Sequence, residues 1–210
     1  DRPFERLTQT FVDSPYGPFN AHHYRYNGTQ STFIVECQPD TWKNAGLHEA
    51  SANQSQSICE NVFASALEGA SLIQNNSIWR QFPILRNENW YYENRVLVGD
   101  ALHTAHFSIG SGTRLALEDV MALVGALKSQ SWIVPDAMAY YQSQRQPVVD
   151  KLVAAAHRSG AWYEKFSEYM NLAPWQFALG YIQRTGRINA ERLGKLAPQF
   201  TKAMQERQLL

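Results

Sequence analysis

The sequence predicts an α+β chain, and three stretches carry that expectation. Residues 19–37 form two alternating runs split by Asn27-Gly28, a dipeptide that favours two-residue hairpin turns. Residues 95–127, RVLVGDALHTAHFSIGSGTRLALEDVMALVGAL, read as a short apolar strand, a sharp turn, a loop of small residues and a helix. From Pro135 onward the pattern is helical almost to the end.

Taken in order, residues 1–9 are polar and read as an irregular edge, and residues 11–17 read as a turn around Pro15 and Gly17. In residues 19–26, Ala21, His23 and Arg25 alternate with His22, Tyr24 and Tyr26, which predicts a strand. Its partner is expected at residues 31–37, with Phe33 and Val35 on one face. Residues 39–46 predict a short helical piece around Trp42. Residues 51–67 predict a helix through Ile58, Val62, Phe63 and Leu67, ended by Gly69. Residues 79–85 alternate around Pro83 and read as an edge strand.

The apolar run at residues 95–98 suits a buried strand, stopped by Gly99 and Asp100. Gly110 and Gly112 bracket Ser111, where the backbone can take positive φ and approach another molecule closely. In the helix that follows, Leu115, Leu117, Val120, Met121, Val124 and Leu127 fall mostly on one face. This layout puts a carboxylate at a strand end and aims the free N–H groups of a helix N-terminus into the loop. A long helix is expected from Pro135 to about Ser159, buried through Met138, Tyr141, Val148, Leu152 and Ala155, with a kink or break at Pro147 and an end at Gly160. Two further amphipathic helices are expected at residues 161–170 and 174–184, then a short turn from Asn189 and a charged, frayed tail.

With 210 residues, 44% hydrophobic, the chain can bury an ordinary core in one or two domains. Nineteen basic and nineteen acidic residues give a formal net charge of zero with no basic stripe, so neither nucleic acid nor a membrane is an expected partner. Cys37 and Cys59 lie far apart without metal-ligand spacing and read as buried thiols of a cytoplasmic protein. His22 and His23 point to opposite faces of a strand, so no metal site is expected there. Gly-x-Ser-x-Gly, HExxH, CxxC and P-loop patterns do not occur.

GDALHTAHFSIGSGTRLALED resembles the second flavin-contacting motif of the FAD-dependent aromatic hydroxylases, the flavoprotein monooxygenases related to p-hydroxybenzoate hydroxylase. Gly99, Asp100, Ala101, His103, Gly110, Gly112, Glu118 and Asp119 match that motif. Leu102 stands where alanine is usual, His106 and Phe107 where prolines are usual, and Arg114 where asparagine is usual. The wording HFSIGSGT is most similar to the branch acting on salicylyl-CoA and anthraniloyl-CoA, with the violacein-pathway tryptophan hydroxylases as relatives. FNAHHYRYNGTQSTFIVECQPDTWKNAGL resembles that branch's substrate-domain strands, and residues 161–200 resemble its C-terminal helices, so the resemblance covers nearly the whole chain.

The resemblance implies a fragment of the FAD/NAD(P)-binding flavin hydroxylase fold. It divides into a partial substrate-binding sheet with a helix (1–90), the second FAD-contacting strand-loop-helix (91–130) and a C-terminal helical region (131–210). The family opens with a strand-GxGxxG-helix unit, and no GxGxxG occurs here. The expectation is therefore the C-terminal part of a longer enzyme, with the N-terminal FAD-binding portion of the same protein as its partner and the fragment alone inactive. The resemblance further implies FAD as cofactor, NAD(P)H as co-substrate and a small aromatic substrate, aromatic acyl-CoA thioesters included. Asp100 would bond a ribityl hydroxyl, and Gly99, Gly110, Ser111, Gly112 and Thr113 would complete the cofactor contacts. His106 is the candidate catalytic residue, and Phe107, Ser108 and His23 are candidate substrate contacts. The family's Tyr-x-x-x-Arg-x-Pro segment matches residues 141–147, where Arg145 reads as a structural ion-pair former. His103 reads as packing the turn. The competing class is a non-catalytic module that binds a partner chain.

Overall fold

The computed structural model describes residues 3–210; Asp1 and Arg2, part of the expected irregular edge, lie outside the described residues. The chain divides into two compact units, Asp1–Arg80 and Gln81–Leu210.

The first unit is built on an antiparallel sheet of β1 (Thr8–Val12), β2 (Phe19–Arg25) and β3 (Ser31–Cys37), in that order. The β2–β3 register pairs Ala21 with Val35 and His23 with Phe33. The connection is a loop of residues 26–30 rather than a two-residue turn, with Asn27 Oδ1 accepting from the N–H groups of Thr29 and Gln30. β1 lies where the sequence suggested edge and turn. The Pro15 and Gly17 signals belong to the tight turn after it, closed by Gly17 N–H to Ser14 O at 2.9 Å. One sheet face packs on α1 (Pro39–Asn44), α2 (Ala52–Val62) and α3 (Ala64–Leu67), around Phe19, Ala21, Ala45, Leu47, Phe63 and Leu67. Ser51 starts α2 through a capping box, its hydroxyl accepting from Gln54 N–H while Gln54 Oε1 accepts from Ser51 N–H. Cys37 and Cys59 are free thiols, and burial pushes their pKa up to about 12 and about 11, so they stay protonated at neutral pH.

Residues 79–85 form no strand, contrary to their alternation. Phe82 and Ile84 are exposed, and the run meets a neighbour only at its end, where Leu85 and Thr104 exchange hydrogen bonds beside the isolated bridge of Arg86 to His103. The short buried strand expected at residues 95–98 forms only over its first two residues. It pairs only over β4 (Tyr91–Tyr92) and β5 (Arg95–Val96), and Arg95 is exposed.

The second unit is organised by α4 (Gly112–Ser129) and α5 (Val134–Tyr163). They enclose Trp90, Leu102, Ala126, Tyr141, Val149 and Val153. α5 runs unbroken through Pro147 and Gly160, where a kink and an end were expected. Pro147 and Ser143 are both exposed, so the Ser143 carbonyl that Pro147 leaves unbonded faces water. Buried Tyr141 and Arg145 before it, and Val149 and Leu152 after it, hold both halves in one line. Val148, expected inside, is 46% exposed.

α4 departs further. Leu115, Asp119 and Ala126 form its buried line, whereas Leu117, Val120, Met121 and Val124 are exposed. An apolar count picks the wrong stripe because the inward face carries a carboxylate. Beyond α5, short α6 (Phe166–Tyr169) and α7 (Pro174–Gln183) surround Trp162, which stacks on Tyr169 at 5.3 Å and meets Phe177 and Tyr181 edge-on. The expected frayed tail is instead α8 (Ala190–Leu196) and α9 (Pro198–Glu206), anchored by Leu193, Thr201 and Met204. Among the described residues, no helix is long and apolar enough to cross a membrane.

Candidate functional site

The site is built around a buried carboxylate. Gly99 takes a left-handed conformation, φ +60°, and a Cβ there would meet Ala116 Cβ at 3.1 Å, so only glycine lets this turn lie so close to α4. Asp119, fully buried on α4, accepts from Gly99 N–H at 3.1 Å, from His103 Nε2 at 2.9 Å and from Arg145 Nε at 2.8 Å. Arg145 continues to Glu118 Oε2 at 2.9 Å and to Leu115 O at 3.3 Å. Burial by itself would raise the Asp119 pKa; the bonds from His103, Arg145 and Gly99 outweigh it and hold the carboxyl below its ordinary value. Burial and the nearby Asp119 charge push the Tyr141 phenol up, so it stays neutral. Arg145 is thus the ion-pair former its sequence context suggested, and His103 packs the turn. Asp119, which joins them, was legible only as half of an acidic pair.

This hub fixes the turn carrying Asp100 against the first turns of α4. Asp100 is exposed and makes no hydrogen bond or ion pair with the described residues. At the start of α4, Gly110 is left-handed (φ +58°) and donates to Phe107 O at 2.8 Å. Ser111 supplies no side-chain cap, and the first intrahelical bond is Leu115 N–H to Ser111 O. The N–H groups of Gly112, Thr113 and Arg114 therefore have no acceptor among the described residues. A Cβ on Gly110 or Gly112 would meet nothing within 4 Å, so this turn faces open space.

The loop before it is anchored from below. His106 Nδ1 lies 2.8 Å from Ser108 Oγ, which lies 2.7 Å from the fully buried Ser159 Oγ. Arg184 Nε donates to Ser159 Oγ at 3.0 Å and Nη2 to Ser108 O at 3.2 Å, while its guanidinium covers the Tyr181 ring at 3.9 Å. The Ser108 backbone N–H also donates to Nδ1, at 3.3 Å, so Nδ1 is held as an acceptor and the ring proton belongs on Nε2. Gly160 makes room for the ring: a Cβ there would meet His106 Cδ2 at 2.9 Å. The sequence signal for this arrangement was Ser159-Gly160 in an otherwise helical run, first read as a helix end. Phe107 stacks on His106 at 4.7 Å and meets Phe82 at 5.0 Å.

Gly99, Asp100, His106, Phe107, Ser108, Gly110 and Ser111 fall on the turn and loop that lead into α4, and Gly112 and Thr113 open the helix itself. His23 belongs to the first unit. Its ring is 2% exposed, stacked on Phe33 at 5.0 Å, beside Phe4 and 2.9 Å from Thr10 Oγ1, so what it touches here is protein.

No protein-family model matches the chain. Among characterised proteins it is 39% identical over 192 residues to salicyloyl-CoA 5-hydroxylase of a Streptomyces species, covering 87% of this chain and 37% of the relative. It is 38% identical to 3-hydroxy-4-methyl-anthranilyl-[aryl-carrier protein] 5-monooxygenase of Streptosporangium sibiricum (80% and 44%) and 34% identical to protodeoxyviolaceinate monooxygenase of Chromobacterium violaceum (86% and 48%). The chain is homologous to the C-terminal portion of aromatic flavin monooxygenases. It spans less than half the length of these relatives. The crystal structure of PqsL, a probable FAD-dependent monooxygenase from Pseudomonas aeruginosa, superposes with a TM-score of 0.56 at 24% identity, over 77% of this chain and 45% of PqsL. The α+β arrangement is thus part of a flavin monooxygenase fold.

Proposed function

We propose that this chain supplies the flavin-facing half of an FAD-dependent aromatic monooxygenase that uses NAD(P)H and O2. The observation that carries the reading is the pairing of an exposed, unengaged Asp100 with the open N–H groups of Gly112 and Thr113, the two held together by Gly99 against Ala116 and Asp119.

The donor set fits FAD. Asp100 is an acceptor for a ribityl hydroxyl, and Gly110 to Thr113 offer a bare backbone to the polar edge of a flavin ring. The α4 N-terminus favours negative charge at that edge, as a reduced ring develops. When bound, FAD supplies the oxygen-activating chemistry; the protein supplies binding, orientation and exclusion of water. His106, Phe107 and Ser108 line the substrate side, with His106 held in place by Ser108, Ser159 and Arg184. His106 is the candidate for handling a proton there, at Nε2, because Ser108 N–H holds its Nδ1 as an acceptor. We assign His23 to bracing the first unit's sheet.

The second face of the cofactor site, the part that grips the pyrophosphate, is assigned to sequence outside these residues. The exposed line Leu117, Val120, Met121 and Val124 supports this, as an apolar helix face suited to cover by the rest of such a fold. The substrate is an aromatic acid carried as a thioester, by analogy with the salicyloyl-CoA and aryl-carrier relatives. The two free thiols agree with a cytoplasmic setting.

The test is Asp100→Ala in the full-length protein. Losing a charged hydrogen bond costs about 1.5–3 kcal/mol, so bound FAD per chain should fall at dilute protein while the circular dichroism stays unchanged. Equal flavin occupancy would remove Asp100 from the cofactor site.

A further inference from the structure

A second polar concavity lies beside this site and plays no part in the scheme above. It has a volume of about 700 Å³ and is lined by Arg114, Lys151, Arg158 and Arg187 over a floor that includes Leu152. Its single carboxylate, Glu118, is already shared by Arg114 at 3.3 Å and Arg145 at 2.9 Å. Arg158 Nε is held by Thr185 O at 2.9 Å, and a Cβ at Gly186 would meet that same nitrogen at 2.9 Å, so the backbone fixes this guanidinium rather than a counter-ion. The Lys151 and Arg187 side chains have no ion-pair partner among the described residues. In a chain of zero net charge, four cations around one shared carboxylate repel one another unless an anion joins them.

We propose that this cavity seats the phosphates of coenzyme A, the handle of the thioester substrate; the inference rests on the flavin reading. Two adjacencies tie the cavity to the site. Arg114 follows Thr113 in the first turn of α4, and Arg158 precedes Ser159, the hydroxyl beneath His106. An acyl group at Phe107 and Ser108 would then have its phosphate-bearing end at the neighbouring basic wall. Four cations match a ligand carrying a diphosphate and a separate 3′-phosphate better than a carrier-protein arm with one phosphodiester. The guanidinium groups suit forked phosphate contacts, and Lys151 acts as a point charge.

The experiment is calorimetric titration of the full-length protein with CoA, phosphopantetheine and 2′,5′-ADP. It is repeated on the double variant Lys151→Gln/Arg187→Gln, whose side chains hold no ion pair. CoA should bind in a salt-sensitive manner, more tightly than either other ligand. The double variant should weaken CoA binding at least about tenfold, as for loss of charge-assisted phosphate contacts, with its fold and bound FAD unchanged. Unchanged CoA affinity in the double variant overturns the proposal. Phosphopantetheine binding as well as CoA would overturn it in favour of a carrier-linked substrate, and 2′,5′-ADP binding as well would overturn it in favour of the reductant's nucleotide. Bound flavin, measured on the same samples, separates the two readings: CoA binding lost only in the double variant upholds the cavity even where flavin is absent, in which case the flavin reading alone has failed.

Discussion

At the scale of single residues, Asp119 determines most. It is fully buried, it is the common acceptor for Gly99, His103 and Arg145, and it holds the Asp100 turn to α4. Replacing it by Asn removes the buried one of Arg145's two carboxylate partners, leaving only Glu118, and should cost about 3 kcal/mol, measured by urea denaturation. The pH dependence follows from the same group. Its folded pKa is depressed, so its stabilisation is complete above the unfolded carboxyl pKa, about 3.9, and disappears as pH falls through the lower folded value. The wild type should therefore lose stability on acidification in that window, and Asp119→Asn should show a flatter acid limb; an identical limb in both would assign the acid sensitivity elsewhere. Gly160 makes a second residue-scale prediction. Gly160→Ala drives a methyl to within 2.9 Å of the His106 ring and should cost about 1–3 kcal/mol through overpacking. The His106 ring resonances should shift while those of the β2–β3 hairpin stay in place.

At the scale of elements, α4 has one face committed to Leu115, Asp119 and Ala126 and another, Leu117, Val120, Met121 and Val124, committed to nothing among the described residues. Leu117→Gln with Met121→Gln should leave the melting of the 210-residue chain nearly unchanged, within about 0.5 kcal/mol as for exposed positions. It should also reduce self-association in sedimentation; unchanged association would show that this face is not the sticky one. The elements also show what the sequence could and could not disclose. The β2–β3 hairpin was legible because alternation fixes the faces and Asn27 marks a turn, although the loop that forms is longer than two residues. Residues 79–85 alternate equally well but form no strand, because a strand needs a neighbour that local pattern cannot report. Pro147 and Gly160 argued for breaks in α5, yet tertiary packing on both sides outweighs their local cost. α9 looked polar because only Thr201 and Met204 hold it inside. In the site, Gly99, Asp100 and Gly110 to Thr113 were legible as a motif, and Arg145 through its Tyr-x-x-x-Arg context. The Ser159–Arg184 support under His106 was not, since its members are distant in sequence and joined only by folding.

At the scale of the whole molecule, the central claim is that the turn before α4 is one wall of a flavin site. With only that wall present, the 210-residue chain should bind FAD weakly, on the order of millimolar, and should show no hydroxylase activity by itself. Nuclear magnetic resonance detects such binding residue by residue. FAD titrated into the ¹⁵N-labelled chain should shift the amides of Asp100 and residues 110–113 first and most. Those of Tyr91–Tyr92 and Arg95–Val96, which line a separate cavity in the same unit, should stay in place. Shifts centred on that β4–β5 cavity, or an unmoved Gly110–Thr113 segment at saturating FAD, would contradict the account.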